Sequence, residues 1–266
     1  MHLSIDQIST LRSKTPLIEA ITNYVTINDC ANAILALGAS PAMCESADEA
    51  YDFSLLCNAV YVNIGTLTKE QELAMLQAVK AADDKNLPVV LDPVGCAAIP
   101  RRIGFLNKLR KFGKIDVIRG NLGEIKALNG MAGKVRGVDS LEDSFGGVEA
   151  CKTLANEWNC IVAASGQTDI VTNGEEVVFI DNGTEMLTKI TGAGCVLGAL
   201  TAAFCGSQTD YFHAVIASHL TMSIAGENAS NKENGDRPGT FKANLFDQLY
   251  TIDDETLNTN AKIRFN

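Results

Sequence analysis

Positive charge is in short supply in this chain. Its 22 Lys and Arg stand against 32 Asp and Glu, for a net charge of −10. Nucleic acid and anionic membranes demand clustered positive charge, so both are excluded as partners, and any anionic ligand must be held by local dipoles or a metal. Long hydrophobic runs are missing as well. The longest, around residues 31–43 and 193–206, are too short and too interrupted to span a bilayer and read as buried elements. The first sixteen residues lack the basic start and apolar core of a secretory signal, so a cytoplasmic location is expected.

No Cys-x-x-Cys pair occurs among the eight cysteines, which fall singly at 30, 44, 57, 96, 151, 160, 195 and 205. A disulfide framework is therefore not indicated. Most of these cysteines sit in apolar runs, as small buried hydrophobes do. Histidine is scarcer still. His2, His213 and His219 all fall away from predicted strand ends, and the last two, six residues apart, lie on different faces of a helix. They make neither a metal pair nor a base for a nucleophilic thiol, and read as ordinary packing or surface residues. There is no internal repeat and no low-complexity linker.

What the chain does have is enough apolar material, 46% of 266 residues, to bury one large core as a single domain over 1–266. Short apolar runs alternate with amphipathic stretches. Strands are expected at 17–22, 59–64, 88–91, 116–118 and 160–164, and helices at 26–37, 68–82, 101–112 and 147–158. In the first of these helices Ile27, Cys30, Ala31, Ile34 and Leu35 fall on one face. Such alternation implies an α/β fold with a mostly parallel sheet covered on both sides. Helix starts are marked by Ser46 with Glu49, Thr68 with Gln71, and Asn121 with Glu124, each a capping residue three before a carboxylate or amide. Runs at 169–172 and 177–180, with Asn173-Gly174 between them and Asn182-Gly183 after, predict hairpins and antiparallel edge strands. Helices near 196–204, 211–229 and 243–250 close the chain, and Asp253-Asp254-Glu255 reads as a solvated helix start.

The most informative segment is 190–199, where Thr191, Gly192, Ala193, Gly194 and Cys195 form a glycine-rich turn opening into an apolar helix. Free backbone N–H groups and the positive end of the helix dipole converge there on one spot suited to an anion. A thiol in that first turn also has the local field that favours thiolate. In a parallel sheet, chemistry gathers past the carboxyl ends of the strands. Four such places stand out: Thr22-Asn23, Asn63 to Thr66, Leu91 to Gly95, and Ile118 to Glu124. Asp92 and Glu124 follow different strands and together could hold Mg²⁺, while Arg119 could clamp phosphate oxygens. Each acid has a plainer reading too, Asp92 as a turn start before proline and Glu124 as a capping-box carboxylate.

These segments, with Leu35 to Met43 and Pro238-Gly239-Thr240-Phe241, resemble the ordered motifs of the hydroxyethylthiazole kinase family almost from end to end. The run Gly38 to Met43 is specific to that family within its superfamily. The resemblance implies a ribokinase-like fold, ATP as cosubstrate, Mg²⁺ as metal, and phosphorylation of the alcohol of 5-(2-hydroxyethyl)-4-methylthiazole in thiamine salvage. It implies a homotrimer with active sites at subunit boundaries. By matching position, Met43 and Gly192 would contact the thiazole, and Asn23 and Gly65 would line its pocket. Arg119, Ser165, Asn121 and Gly194 would serve ATP, Asp92 and Glu124 the metal, and Cys195 would stand as catalytic base, where the wider superfamily carries aspartate. The chain departs from the family pattern at Cys96-Ala97-Ala98, where a further glycine is usual, and at Ser165, where threonine is more common. A hydroxymethylpyrimidine or pyridoxal kinase of the same superfamily is the alternative, opposed only by Asn23 and the Gly38 to Met43 run.

Overall fold

The computed structural model describes residues 6–130 and 141–266, with backbone alone for 141–145. His2 lies outside the described residues. Nine strands form one sheet: β1 (Leu17–Ile21), β2 (Ser40–Ala42), β3 (Ala59–Asn63), β4 (Val89–Asp92), β5 (Val117–Asn121), β6 (Ile161–Ser165), β7 (Asp169–Thr172), β8 (Val177–Ile180) and β9 (Ile263–Phe265). Their order across the sheet is β2-β1-β3-β4-β5-β6-β7-β8-β9. The first six pair in parallel, and the last three join antiparallel.

Alternation along each strand sends successive side chains to opposite faces. Ile18, Ala59, Tyr61, Val90, Val117 and Ala163 meet one set of helices: α1 (Gln7–Lys14), α2 (Ile27–Leu37), α8 (Ala193–Ser207), α9 (Tyr211–Ser230), α10 (Pro238–Thr251) and α11 (Asp254–Asn260). Val60, Val62, Val89, Leu91, Ile118 and Val162 meet the other set: α3 (Ala50–Ser54), α4 (Lys69–Lys85), α5 (Pro100–Leu109), α6 (Leu122–Leu128) and α7 (Leu141–Trp158). Helices α8 and α9 are buried almost all round, which explains why neither shows a clean polar face in the sequence. No helix among the described residues is long and apolar enough to cross a membrane.

The expected mostly parallel sheet with antiparallel edge strands is present, and the deviations have local causes. Ser40–Ala42 forms a parallel strand that sequence reading passes over because Pro41 interrupts it; proline is tolerated there since β2 is an edge. The Asn173-Gly174 turn does join a hairpin, with Gly174 at φ +98°. Asn182-Gly183 does not: β8 pairs instead with β9 from the far C-terminus, and Gly183 leads into a 3₁₀ turn at Glu185–Lys189. Two of the three predicted capping boxes form, at Thr68 with Gln71 and at Asn121 with Glu124. The Ser46–Glu49 box does not, because α3 starts four residues later and the Ser46 carbonyl accepts the Glu49 and Ala50 amides directly. Asp253 caps α11, accepting the Thr256 N–H at 2.8 Å, as the acidic run suggested.

Candidate active site

The carboxyl ends of β1, β3, β4, β5 and β6 open onto a cavity of about 1230 Å³ that the start of α8 also lines. Asn23, Gly65, Asp92, Arg119, Asn121, Glu124, Ser165, Gly192, Gly194 and Cys195 all face it. Met43 does not. It packs half-buried against the core formed with α2 and α8.

Gly192 caps α8 at φ +83°, a conformation open to glycine, and a Cβ there would stand 2.3 Å from Thr26 Cγ2. With no side-chain acceptor at the cap, the first-turn amides of 193–195 have no partner within the helix, and residues 192–195 line the cavity. Gly194 gives way to Arg119, whose Nη1 would lie 2.8 Å from an added Cβ.

Arg119 is 6% exposed although it ends no ion pair at ideal range: Nη1 is 3.6 Å from Asp92 Oδ2, and Nη2 donates to Ser165 Oγ at 2.7 Å. Its Nε is buried without a partner. Asp92, 1% exposed, accepts at Oδ2 from Tyr61 Oη at 3.1 Å and from Asn63 Nδ2 at 3.0 Å. Its Oδ1 is buried and unpartnered. Burial pushes the Asp92 carboxyl above the usual carboxylate range, with Arg119 opposing and Glu124 adding to the rise. Glu124 closes the capping box expected of it and also ties down a neighbouring loop. Oε2 accepts the Asn121 N–H at 2.9 Å, closing the capping box, while Oε1 accepts the Gly95 N–H at 2.8 Å and ties the loop after β4 to α6.

The thiol of Cys195 accepts from Asn23 Nδ2 at 3.2 Å. Its pKa is raised, chiefly by burial and then by Asp92, against hydrogen bonds from Thr26, Asn23 and Asn63. The shift runs opposite to the thiolate expected at a helix start, with burial and a neighbouring acid as its causes.

Tyr61 has no counterpart in the sequence reading. Its hydroxyl also lies 2.9 Å from the Cys195 carbonyl oxygen, so it links Asp92 to the anion-seeking turn. The available signal was Gly198, whose Cβ would fall 2.6 Å from that hydroxyl. His219 departs from the reading of an ordinary packing residue, since its Nδ1 lies 2.6 Å from Asp169 Oδ2.

The acids suit Mg²⁺, an ion that takes one or two carboxylates and completes its shell with phosphate and water. Asp92 offers a buried oxygen with no other partner, and each Glu124 oxygen keeps a free lone pair beside its single hydrogen bond. No cluster of three or more His, Cys, Asp or Glu able to hold a metal occurs among the described residues.

A mostly parallel sheet ending in antiparallel strands, with helices on both faces, is a ribokinase-like fold, and an arginine, two acids and the start of α8 meet at its carboxyl edge. Residues 8–255 match the model of the hydroxyethylthiazole kinase family. A hydroxyethylthiazole kinase of Desulfitobacterium hafniense is 54% identical over 258 residues, 97% of each chain, and one of Clostridium kluyveri is 50% identical over 268 residues, 99% of each. Among solved structures, hydroxyethylthiazole kinase from Pyrococcus horikoshii superposes with a TM-score of 0.91 at 36% identity over the whole of both chains. Pyridoxal kinase from Staphylococcus aureus, at 15% identity and TM-score 0.62 over 94% of this chain and 98% of its own, shares the fold. The chain belongs to the hydroxyethylthiazole kinase family.

Proposed function

We propose that this chain, acting as one domain over 1–266, transfers the γ-phosphoryl group of ATP to the hydroxyl of 5-(2-hydroxyethyl)-4-methylthiazole in the cytoplasm. The observation that carries the reading is the convergence on one cavity of Asp92 with its unpartnered oxygen, Glu124, Arg119 and the unpaired amides of 193–195.

Phosphoryl transfer asks a protein mainly to align the alcohol with the γ-phosphate and to neutralise charge spreading over the transferring group. The amides of 193–195 and the Arg119 guanidinium supply that neutralisation, with Ser165, Asn121 and Gly194 holding the nucleotide around them. Asp92 and Glu124 would hold Mg²⁺, which when bound would offset the charge of the phosphate groups. Asn23, Gly65 and Gly192 line the acceptor end, where the thiazole sits. Met43 is not among the residues that line this chain's cavity, which accords with a homotrimer in which it completes the thiazole pocket of a neighbouring copy. Cys195 assists rather than decides. In a loose transition state the alcohol is nearly neutral when the new bond begins to form, and this thiol holds its proton tightly.

The sister activities on hydroxymethylpyrimidine and pyridoxal share every phosphate-handling group, so the test compares acceptors. ADP release coupled to a reporter, with the thiazole alcohol, hydroxymethylpyrimidine and pyridoxal side by side, is expected to show selective turnover of the first. Preference for either of the others overturns the assignment.

A further inference from the structure

His219 lies in the middle of α9 with no solvent exposure. Its Nδ1 is 2.6 Å from Asp169 Oδ2, and Asp169 Oδ1 accepts the Gly166 backbone N–H at 2.9 Å. One carboxylate at the start of β7 thus closes the turn leaving β6 and is itself gripped from the helix layer. A carboxylate oxygen only accepts, so Nδ1 carries the proton in this contact. The other ring nitrogen, Nε2, is buried and has no partner among the described residues. A position serving only to fill space would hold an apolar side chain there, since an unsatisfied buried nitrogen is destabilising.

The turn that Asp169 closes is part of the cavity wall. Ser165, Gly166, Gln167 and Asp169 all line it, and Ser165 Oγ accepts from Arg119 at 2.7 Å. Asn23 and Gly65, at the acceptor end, follow β1 and β3 on the other side of the sheet's centre.

We propose that His219 is a positioning residue for the nucleotide: through Asp169 it fixes the 165–169 turn, and with it Ser165 and Arg119, in the form that receives the phosphates of a nucleoside triphosphate. It also orients Asp169, keeping that acid's oxygens engaged with protein donors in a cavity that must take an anion. This rests on reading the cavity as an ATP site, but not on which alcohol is phosphorylated.

The test uses the full chain with two substitutions. His219→Leu removes the donor. His219→Asn keeps an N–H close to where Nδ1 stands. ADP binding by calorimetry and the separate KM values for ATP and thiazole alcohol are measured for each. The Leu variant is expected to weaken ADP binding and raise the KM for ATP about tenfold, the loss of one hydrogen bond to a charged group, with the KM for the alcohol within about twofold, and the Asn variant to recover most of the loss. Unchanged nucleotide affinity in the Leu variant overturns the proposal, as does a parallel rise of both KM values or a folded Asn variant no better than Leu. If the Leu variant does not fold, Asp169→Asn takes its place, and wild-type ADP affinity there overturns the proposal equally. A wild-type chain that binds no ADP overturns both this inference and the kinase reading, whereas one that binds ADP but leaves the thiazole alcohol untouched overturns the substrate assignment alone.

Discussion

Asn23 and Cys195 are 172 positions apart in the chain and 3.2 Å apart in space, the amide of the first donating to the sulfur of the second. The Val25 N–H binds Asn23 Oδ1 at 3.1 Å, which turns Nδ2 toward the thiol and toward Asn63 Oδ1 at 2.9 Å. The sulfur is therefore placed as an acceptor, in the setting a proton-accepting group needs, while burial and Asp92 keep it protonated at neutral pH.

Replacing Cys195 by Ser tests how much that matters. The turnover rate is expected to fall by about 10² at most, the low end for a general base, with nucleotide affinity kept. Because the thiol titrates above its ordinary value, the thiolate fraction grows as pH rises, so wild-type kcat should climb above neutral pH more steeply than that of Cys195→Ser. Complete inactivity of a folded, ATP-binding Ser variant would refute a merely assisting role.

Gly192 and Gly194 are one residue apart and resist substitution for different reasons. At Gly192 alanine meets both a left-handed backbone and Thr26 at 2.3 Å, so Gly192→Ala should lower stability by about 1–3 kcal/mol as well as activity. At Gly194 the backbone is helical and the obstacle is the Arg119 guanidinium. Gly194→Ala should therefore leave the melting temperature close to wild type and raise the KM for ATP. Thermal unfolding and steady-state kinetics on the pair separate the two; equal losses of stability would contradict the distinction.

The sheet, its handful of parallel strands and the strand-end motifs were legible because each strand is an apolar run followed by polar residues at the site. Pairing across long separations was not. Nothing local to Ile263–Phe265 says that it returns to β8, and Asn182-Gly183 carries the letters of a hairpin without a neighbouring strand to turn into. At the site, Asp92, Arg119 and Glu124 could be picked out from residue type and position. Tyr61 within an apolar strand, which bonds Asp92, and His219 within an apolar helix, which bonds Asp169, look like core, because their partners arrive from distant elements.

Glu124 carries a structural duty separate from the metal role proposed for it. Its two oxygens each accept one backbone N–H, from Gly95 and from Asn121. Glu124→Gln leaves a single acceptor and turns an amide N–H toward a backbone N–H. An unfolding titration without nucleotide or Mg²⁺ should show a loss of about 1–3 kcal/mol. Wild-type stability in that experiment would mean the loop after β4 is held by something else.

Glu19 supplies a pH effect distinct from catalysis. It lies fully buried on β1, and burial raises its carboxyl from 4.5 to about 7, with a hydrogen bond to Ser54 opposing. Ser54 Oγ has one proton but faces two acceptors, Glu19 Oε2 and the Ala50 carbonyl oxygen at 2.7 Å. If Ser54 donates to Ala50, the proton between Ser54 and Glu19 must come from Glu19, so the protonated acid completes the pattern. Between the unfolded value near 4.5 and the folded value near 7 the native chain binds more protons than the unfolded one, and stability falls as pH rises through that window. Above it the whole penalty is present, about 3 kcal/mol for a shift of this size. Glu19→Gln, neutral at every pH, should therefore be more stable than wild type at pH 8 and close to it at pH 4.5, with the gap opening between. Chemical denaturation of both proteins across that range measures it. A constant difference between them would show that Glu19 ionises alike in the folded and unfolded chain.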